Sequence, residues 1–419
     1  MDRRTLLAGA VVAPAILRAQ GANNRIRTAH IGLGTMGTAN LKFAMQQPSV
    51  EVTALCDVKT DALEKAMTTA HAAGQHPRQV RDFREILADK SIDAIVVATP
   101  DHWHAYITVE GCKAGKDVWV EKPVCTVVDE GLKMVAAARK YDRVVQVGTM
   151  QRSGEHFQKA VDLVRSGRLG KITLVRTFNY MRLSRNGNNT PIDSDPPAGI
   201  DWDLWLGPAP YHRYNPVRSS HEFRRYWDYA GGMLTDWGAH WIDIVQMAMD
   251  EAMPVRIAAN GGKFWVTDDR ETPDTLQALY TYPSGLLASY ETRPNNLRPA
   301  DGITQGIIYY ASEGTLVLNR AGYHVYPEKG SALEETEVKS SNNSNLAHWA
   351  NFVECIRTRR RPNSDIERSF RSSAACLLGN VAWRSNLQLT WDDQNKTVLE
   401  TGAKPYLTRE YRAPWKLEV

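Results

Sequence analysis

The chain has 419 residues, enough for two separate cores, with 43% hydrophobic and 23% charged residues and a net charge of +4. Its basic residues are scattered, with no basic stripe interleaved with aromatic side chains, which argues against a nucleic-acid partner. Five cysteines (Cys56, Cys112, Cys125, Cys355 and Cys376) form an odd set without a C-x-x-C pair, which argues against a disulfide framework or a zinc site.

Residues 1–20 read as a processing signal. Arg3-Arg4 precedes Leu6-Leu7 and an apolar stretch from Ala8 to Leu17, too short to span a membrane stably. This resembles a bacterial twin-arginine export signal, which implies a periplasmic or secreted protein folded before export, with cleavage near Ala19. No later segment reaches the roughly eighteen uninterrupted apolar residues of a spanning helix, so no membrane partner is expected of the mature form.

From Arg27 a short strand runs into Gly32-Leu33-Gly34-Thr35-Met36-Gly37, then a helix through Ala39, Leu41 and Ala44. A second strand, Val50 to Cys56, ends at Asp57. Strand, G-x-G-x-x-G, helix and acid in this order form a dinucleotide fingerprint. Gly32 permits the turn, Gly34 lets the backbone approach a pyrophosphate, and Gly37 allows close helix packing. Thr35 and Met36 open the helix whose N-terminus faces the phosphates. Asp57 is expected to bind the adenosine ribose and repel a 2′-phosphate, favouring NAD over NADP, although Lys59 weakens that preference.

Further alternation of helices with apolar strands (Ile92–Ala98, Asp117–Val120, Val144–Gly148) predicts a Rossmann doubly wound parallel sheet over residues 25–150. Thr99–His104, Glu121–Pro123 and Thr149–Arg152 follow its strands and are expected to line the cofactor. The expected cofactor contacts there are Thr99, Pro100, His102, His104, Glu121, Lys122 and Gln151. His102 and His104 are spaced to chelate, but beside a cofactor a positioning or contact role is preferred, and no metal is expected.

Glu121-Lys122-Pro123 after a strand resembles the signature of the Gfo/Idh/MocA family, the glucose–fructose oxidoreductase and inositol dehydrogenase group. Thr99-Pro100-Asp101-His102-Trp103-His104, Gly148-Thr149-Met150-Gln151-Arg152 and Asp201-Trp202-Asp203-Leu204-Trp205-Leu206-Gly207-Pro208 extend the likeness. So does the run from Gly231-Gly232 through Asp236, Trp237 and His240 to Asp243. The resemblance implies that Lys122, Asp236 and His240 are the catalytic group of an oxidoreductase acting on sugar CH–OH groups. The chemistry is coherent without it. His240 has a suitable unperturbed pKa of about 6.5 for a base, and Lys122 can stabilise negative charge on the reacting oxygen. Asp236, four residues before His240 and one helical turn away, is expected to orient the imidazole or bind a neighbouring hydroxyl. Gly231 and Gly232 are expected to let a ligand approach the backbone.

Residues 151–385 read as a substrate-binding α+β domain. A helix from Glu155 to Arg165 leads into successive strand-like segments between Lys171 and Tyr326, which predict a large, mostly antiparallel sheet. The stretch from Arg182 to Ile200 is expected to be a loop over the site, with Tyr180, Arg182, Arg185, Tyr226 and Trp227 as substrate contacts. Helices Asn345–Arg357 and Ile366–Ser385 follow, and residues 386–419 read as an extended tail. The family likeness implies a homodimer or homotetramer. Twelve Trp and sixteen Tyr suit a carbohydrate ligand, because such rings stack on sugar C–H faces.

Export sets a constraint, since no soluble NAD pool is expected outside the cytoplasm, so the nucleotide must stay bound and be regenerated. Coupled oxidation of one sugar and reduction of another satisfies this. So does redox-neutral glycoside cleavage by oxidation, elimination and re-reduction. A nucleotide-bound sensor without turnover is disfavoured by the intact Lys122, Asp236 and His240 set.

Overall fold

The computed structural model describes residues 25–183, 185, 192–250 and 253–419. The export signal at 1–20 lies outside the described residues, as do 184 and 186–191 of the segment expected to cover the site. No described helix is long and apolar enough to cross a membrane.

The first half alternates strand and helix: β1 Ile26–Ile31, α1 Thr35–Met45, β2 Val50–Cys56, α2 Thr60–Ala72, β3 Arg78–Val80, α3 Phe83–Ala88, β4 Ala94–Val97, α4 His104–Lys113, β5 Asp117–Val120, α5 Val128–Lys140 and β6 Val145–Val147. All ladders are parallel, in the order β3-β2-β1-β4-β5-β6. Strands such as β4 (Ala-Ile-Val-Val) are buried at every position, because helices cover both faces. The strand order reverses between β1 and β4, and a crevice opens there beyond the carboxyl ends of the strands.

The second half begins with α6 Glu155–Arg165, β7 Ile172–Met181, α7 Trp202–Leu206 and α8 Ala239–Ala248. It continues with β8 Arg256–Gly262, β9 Thr275–Thr281, β10 Leu287–Pro294, β11 Gln305–Ala311, β12 Gly314–Asn319, β13 Gly322–Pro327 and β14 Thr336–Lys339. Then come α9 Ser344–Thr358, α10 Ile366–Ser385, β15 Leu389–Asp392 and β16 Thr397–Val398. Ten strands form one sheet, antiparallel except where β7 pairs with β10. Its helix-side face supplies Tyr280, Tyr290 and Tyr309 to the largest core, together with apolar residues of α8 and α10.

The chain after α10 is not an extended tail. β15 pairs with β8 and extends the large sheet, and the terminal segment returns to the first half. Trp415 there packs edge-on against Trp103 and Tyr106, with ring centroids 4.9 and 5.2 Å apart. Helix α10 stitches the halves together with small polar residues. Ser373 Oγ accepts from Val124 N (3.3 Å), and Ser372 Oγ donates to Asp243 (2.8 Å), which also pairs with buried Arg152 (2.8 Å).

Candidate functional site

A cavity of about 360 Å³ occupies the crevice at the strand-order reversal. Gly32 sits at φ +86°, where a Cβ would meet the backbone of Ala98 and Thr99 at 2.7 Å. A Cβ on Gly37 would fall 1.9 Å from Gly32 O, so this glycine lets α1 close onto the turn. Gly34 differs: nothing lies within 4 Å of its Cβ position, which borders the cavity. No side chain caps α1, leaving its first N–H groups at Thr35 and Met36 for a ligand. The Thr99 hydroxyl, also on the cavity wall, is buried without a partner. Bare helix N–H groups, backbone open to close approach and an orphan hydroxyl fit a dinucleotide pyrophosphate.

Asp57 closes the far end of this wall. Its carboxylate accepts from Leu33 N (2.6 Å) and Lys59 N (2.8 Å), and burial raises its pKa against those bonds. The Lys59 ammonium is tied to the Ser219 carbonyl rather than to Asp57.

Where the cavity meets the second half, charged side chains converge. Lys122, just past β5, donates to Asp236 Oδ1 (2.6 Å) and to the Asp236 carbonyl (3.1 Å). The Arg224 guanidinium forms an ion pair with the same carboxylate oxygen at 3.3 Å. Burial works to raise the Asp236 pKa, but Lys122 and Arg224 overcome it and hold the carboxyl well below the usual range. Asp101 is buried beside these groups, and its desolvation pushes it up to about 7 against the pull of Arg224 and Lys122.

Asp236 lies in a π-helical turn, Leu234–Gly238, that runs directly into α8 and its second residue, His240. Such turns widen the helix and recur at functional sites. His240 is buried and its Nδ1 has no partner. Burial, then the charges of Lys122 and Arg320, drive its pKa well below 6.5, so the imidazole is neutral at pH 7. A neutral imidazole beside a fixed ammonium can accept a hydroxyl proton while the ammonium holds the oxygen.

A family model described as the oxidoreductase family, NAD-binding Rossmann fold, matches residues 26–149, and the family's C-terminal α/β domain matches 154–285. Together they cover more than half of the chain. It belongs to the Gfo/Idh/MocA oxidoreductase family. An uncharacterised oxidoreductase, YrbE of Bacillus subtilis, is 25% identical over 293 residues, which cover 70% of this chain and 73% of that protein. A glycosyl hydrolase family 109 protein of Saccharopolyspora erythraea is 31% identical over 158 residues, 36% of this chain and only 34% of the relative's length. The fold matches levoglucosan dehydrogenase in complex with NADH and levoglucosan (TM-score 0.67, 18% identity, 87% of this chain and 99% of that one). The NAD-binding Rossmann domain of this Gfo/Idh/MocA chain thus carries the cleft described above.

Several residues sit elsewhere than expected. His102 is not a cofactor contact: it is fully buried, bonds Trp205 O at 3.0 Å and lies against the rings of Trp205 and Tyr229. Its burial, helped by Arg409, lowers its pKa to about 3. His104 does border the cavity, yet both ring nitrogens face backbone, Pro123 O at 2.7 Å and Thr99 O at 3.0 Å. It therefore locks two cofactor loops together. Glu121, also on the wall, accepts from Asn40 (2.8 Å) and Trp119 (3.2 Å), which fixes the loop carrying Lys122. Gln151 lies behind the wall and donates to His240 O (3.0 Å). Asp236 does not hydrogen-bond the His240 ring; its carboxylate is taken by the two cations.

None of the five expected substrate contacts borders this cavity. Tyr180 points to the face of the sheet away from α8, where it stacks on Phe178, and its hydroxyl bonds Glu291; the adjacent Asn179 faces inward, bonded to Tyr290. Arg182 and Arg185 are exposed, with Arg185 over Trp265. Tyr226 is buried in an aromatic cluster and donates to Asp269 (2.7 Å). Trp227 packs near Trp383 and Arg384 in a different cavity. The double glycine also serves packing rather than ligand approach, since a Cβ would meet Asn380 from Gly231 and Thr272 from Gly232 at 2.7–2.8 Å.

Sequence reasoning missed Arg224, Asp101 and Arg320. Asp101 sat inside a motif already singled out; nothing marked either arginine, because each meets the site only through folding.

Proposed function

We propose that this chain is an exported oxidoreductase that retains NAD and oxidises a secondary hydroxyl of a sugar, acting as a homodimer or homotetramer. The observation that carries this reading is Lys122, on the wall of the nucleotide cleft, paired with Asp236 beside a neutral, buried His240. Bound NAD supplies a two-electron hydride acceptor. Lys122 spends two of its three N–H donors on Asp236, which fixes the ammonium and leaves one donor for the reacting oxygen. That hydrogen bond strengthens as negative charge grows on the oxygen while the C–H electron pair departs. His240 takes the hydroxyl proton, and its depressed pKa favours passing that proton on, which restores the base. Asp236 acts as the anchor of Lys122, with Arg224 balancing its charge.

A second reading is redox-neutral glycoside cleavage by the same residues, favoured by the likeness to the glycosyl hydrolase family 109 protein. The test is to purify the protein without added nucleotide and present a panel of sugars and aryl glycosides. A reduced-nicotinamide band that rises with one sugar and falls with a second supports coupled oxidoreduction. Aryl release with no net change in that band supports the glycosidase. Protein that arrives without nucleotide and turns over only with added NAD contradicts retention, and the case for export with it.

A further inference from the structure

The charges around His240 do not balance. Lys122 and Arg224 share the Asp236 carboxylate, whereas Arg320, in the turn between β12 and β13, has no carboxylate within ion-pair distance among the described residues. Arg320 is nevertheless held in place. Its Nε donates to Gln151 Oε1 at 3.1 Å, and Gln151 Nε2 donates to the His240 carbonyl at 3.0 Å. Its guanidinium lies over Trp237 and Trp241, 5.1 and 5.7 Å from their ring centres, and Trp237 in turn lies 6.0 Å from the His240 ring. The side chain stays open to solvent.

Gln151 occupies only the Nε–H, so the two terminal nitrogens keep their N–H groups, in the fork geometry that fits a carboxylate. An arginine needed only for solubility has no reason to be fixed on buried Gln151 and two indoles. The indoles also exclude water from one side of the guanidinium, which strengthens its attraction for an anion.

Resting on the oxidoreductase reading above, we propose that the substrate is an acidic sugar, a uronate or aldonate, whose carboxylate is bound by Arg320 while its hydroxyl meets Lys122 and His240.

The test compares matched neutral and acidic sugars (glucose with glucuronate, galactose with galacturonate), with glucose 6-phosphate as the phosphate arm. The full-length NAD-loaded protein and its Arg320→Gln and Arg320→Lys variants are assayed for turnover. Binding is read separately from the fluorescence of the Trp237 and Trp241 pair, with Trp237→Phe to assign the signal. Arg320→Gln is expected to lower kcat/KM for the uronate by about 10- to 100-fold, mainly through KM, with a much smaller change for the neutral sugar. Arg320→Lys is expected to recover part of the loss, since it keeps the charge but not the fork. A neutral sugar preferred over its acid, an equal loss on both in Arg320→Gln, or preference for the phosphate overturns the proposal. If nothing is oxidised, the oxidoreductase reading fails, and the fluorescence titration still decides the anion site: uronate binding lost in Arg320→Gln supports it, binding unchanged overturns it.

Discussion

The nucleotide wall of the cleft is built from backbone, with glycines at Gly32 and Gly37 that admit no Cβ and a helix end with free N–H groups. The opposite wall is built from charged side chains, with Lys122 from the first half and Arg224 from the second meeting over Asp236. The first wall recognises its ligand by shape and fixed dipoles, and tolerates side-chain change wherever the backbone stays clear. The second depends on charge held out of water, where each group sets the state of its neighbours. A substitution on the nucleotide wall should therefore alter affinity, and one on the charged wall should alter chemistry.

Lys122→Met should show the largest effect, lowering kcat by about 10³-fold or more, because it removes the donor to the developing oxyanion. Retention of nucleotide, read from the absorbance of the purified variant, should survive; loss of nucleotide with activity would blur the two walls. His240→Asn should lower kcat by about 10²- to 10³-fold as a lost general base. In the parent protein, His240 is pushed below its ordinary value and so is already the free base above pH 6.5. The acid limb of kcat should accordingly fall below pH 6.5 and disappear in His240→Asn. A limb near pH 7 belongs instead to Asp101 and should be lost in Asp101→Asn.

Gly34→Val should act on the other wall alone. The added Cβ meets no protein atom and borders the cavity, so nucleotide affinity should fall about tenfold or more while the melting temperature in the nucleotide-free state holds. A folding defect in that variant would contradict the packing described for Gly34. The smallest effect is expected from Tyr180→Phe. Its hydroxyl bonds Glu291 on the far face of the sheet, so kcat/KM should stay within about a factor of two, as for substitutions remote from the chemistry. A large loss would move the substrate site to the sheet.

The two walls also differed in how legible they were. Gly32, Gly34, Gly37 and Asp57 lie within one βαβ unit, where local spacing and three-dimensional contact coincide. Lys122, Asp236 and His240 were found through motifs, although the pairing of Asp236 with Lys122 rather than His240 needed the fold. Arg224 and Arg320 carried no local signal: Arg224 precedes Asp236 outside the motif that marks it, and Arg320 reaches Gln151 across a long sequence separation. His102 was misread because an H-x-H pair on a loop looks alike whether a ring faces a ligand or a backbone carbonyl. Tyr180 and Tyr226 were misread because aromatic residues near a site serve packing as readily as binding, and strand alternation turns Tyr180 outward. The large sheet was legible in its central strands. β15 was not, since four residues after a long helix carry too little pattern to separate an edge strand from a tail.

The most direct test of the central claim is a crystal structure of the protein with NADH and the sugar it oxidises. The reacting hydroxyl should lie within hydrogen-bonding distance of Lys122 Nζ and the His240 ring, with the pyrophosphate on the N–H groups of Thr35 and Met36. A sugar seated beside Trp227 and Arg384 instead, with no hydroxyl near Lys122, would contradict that claim.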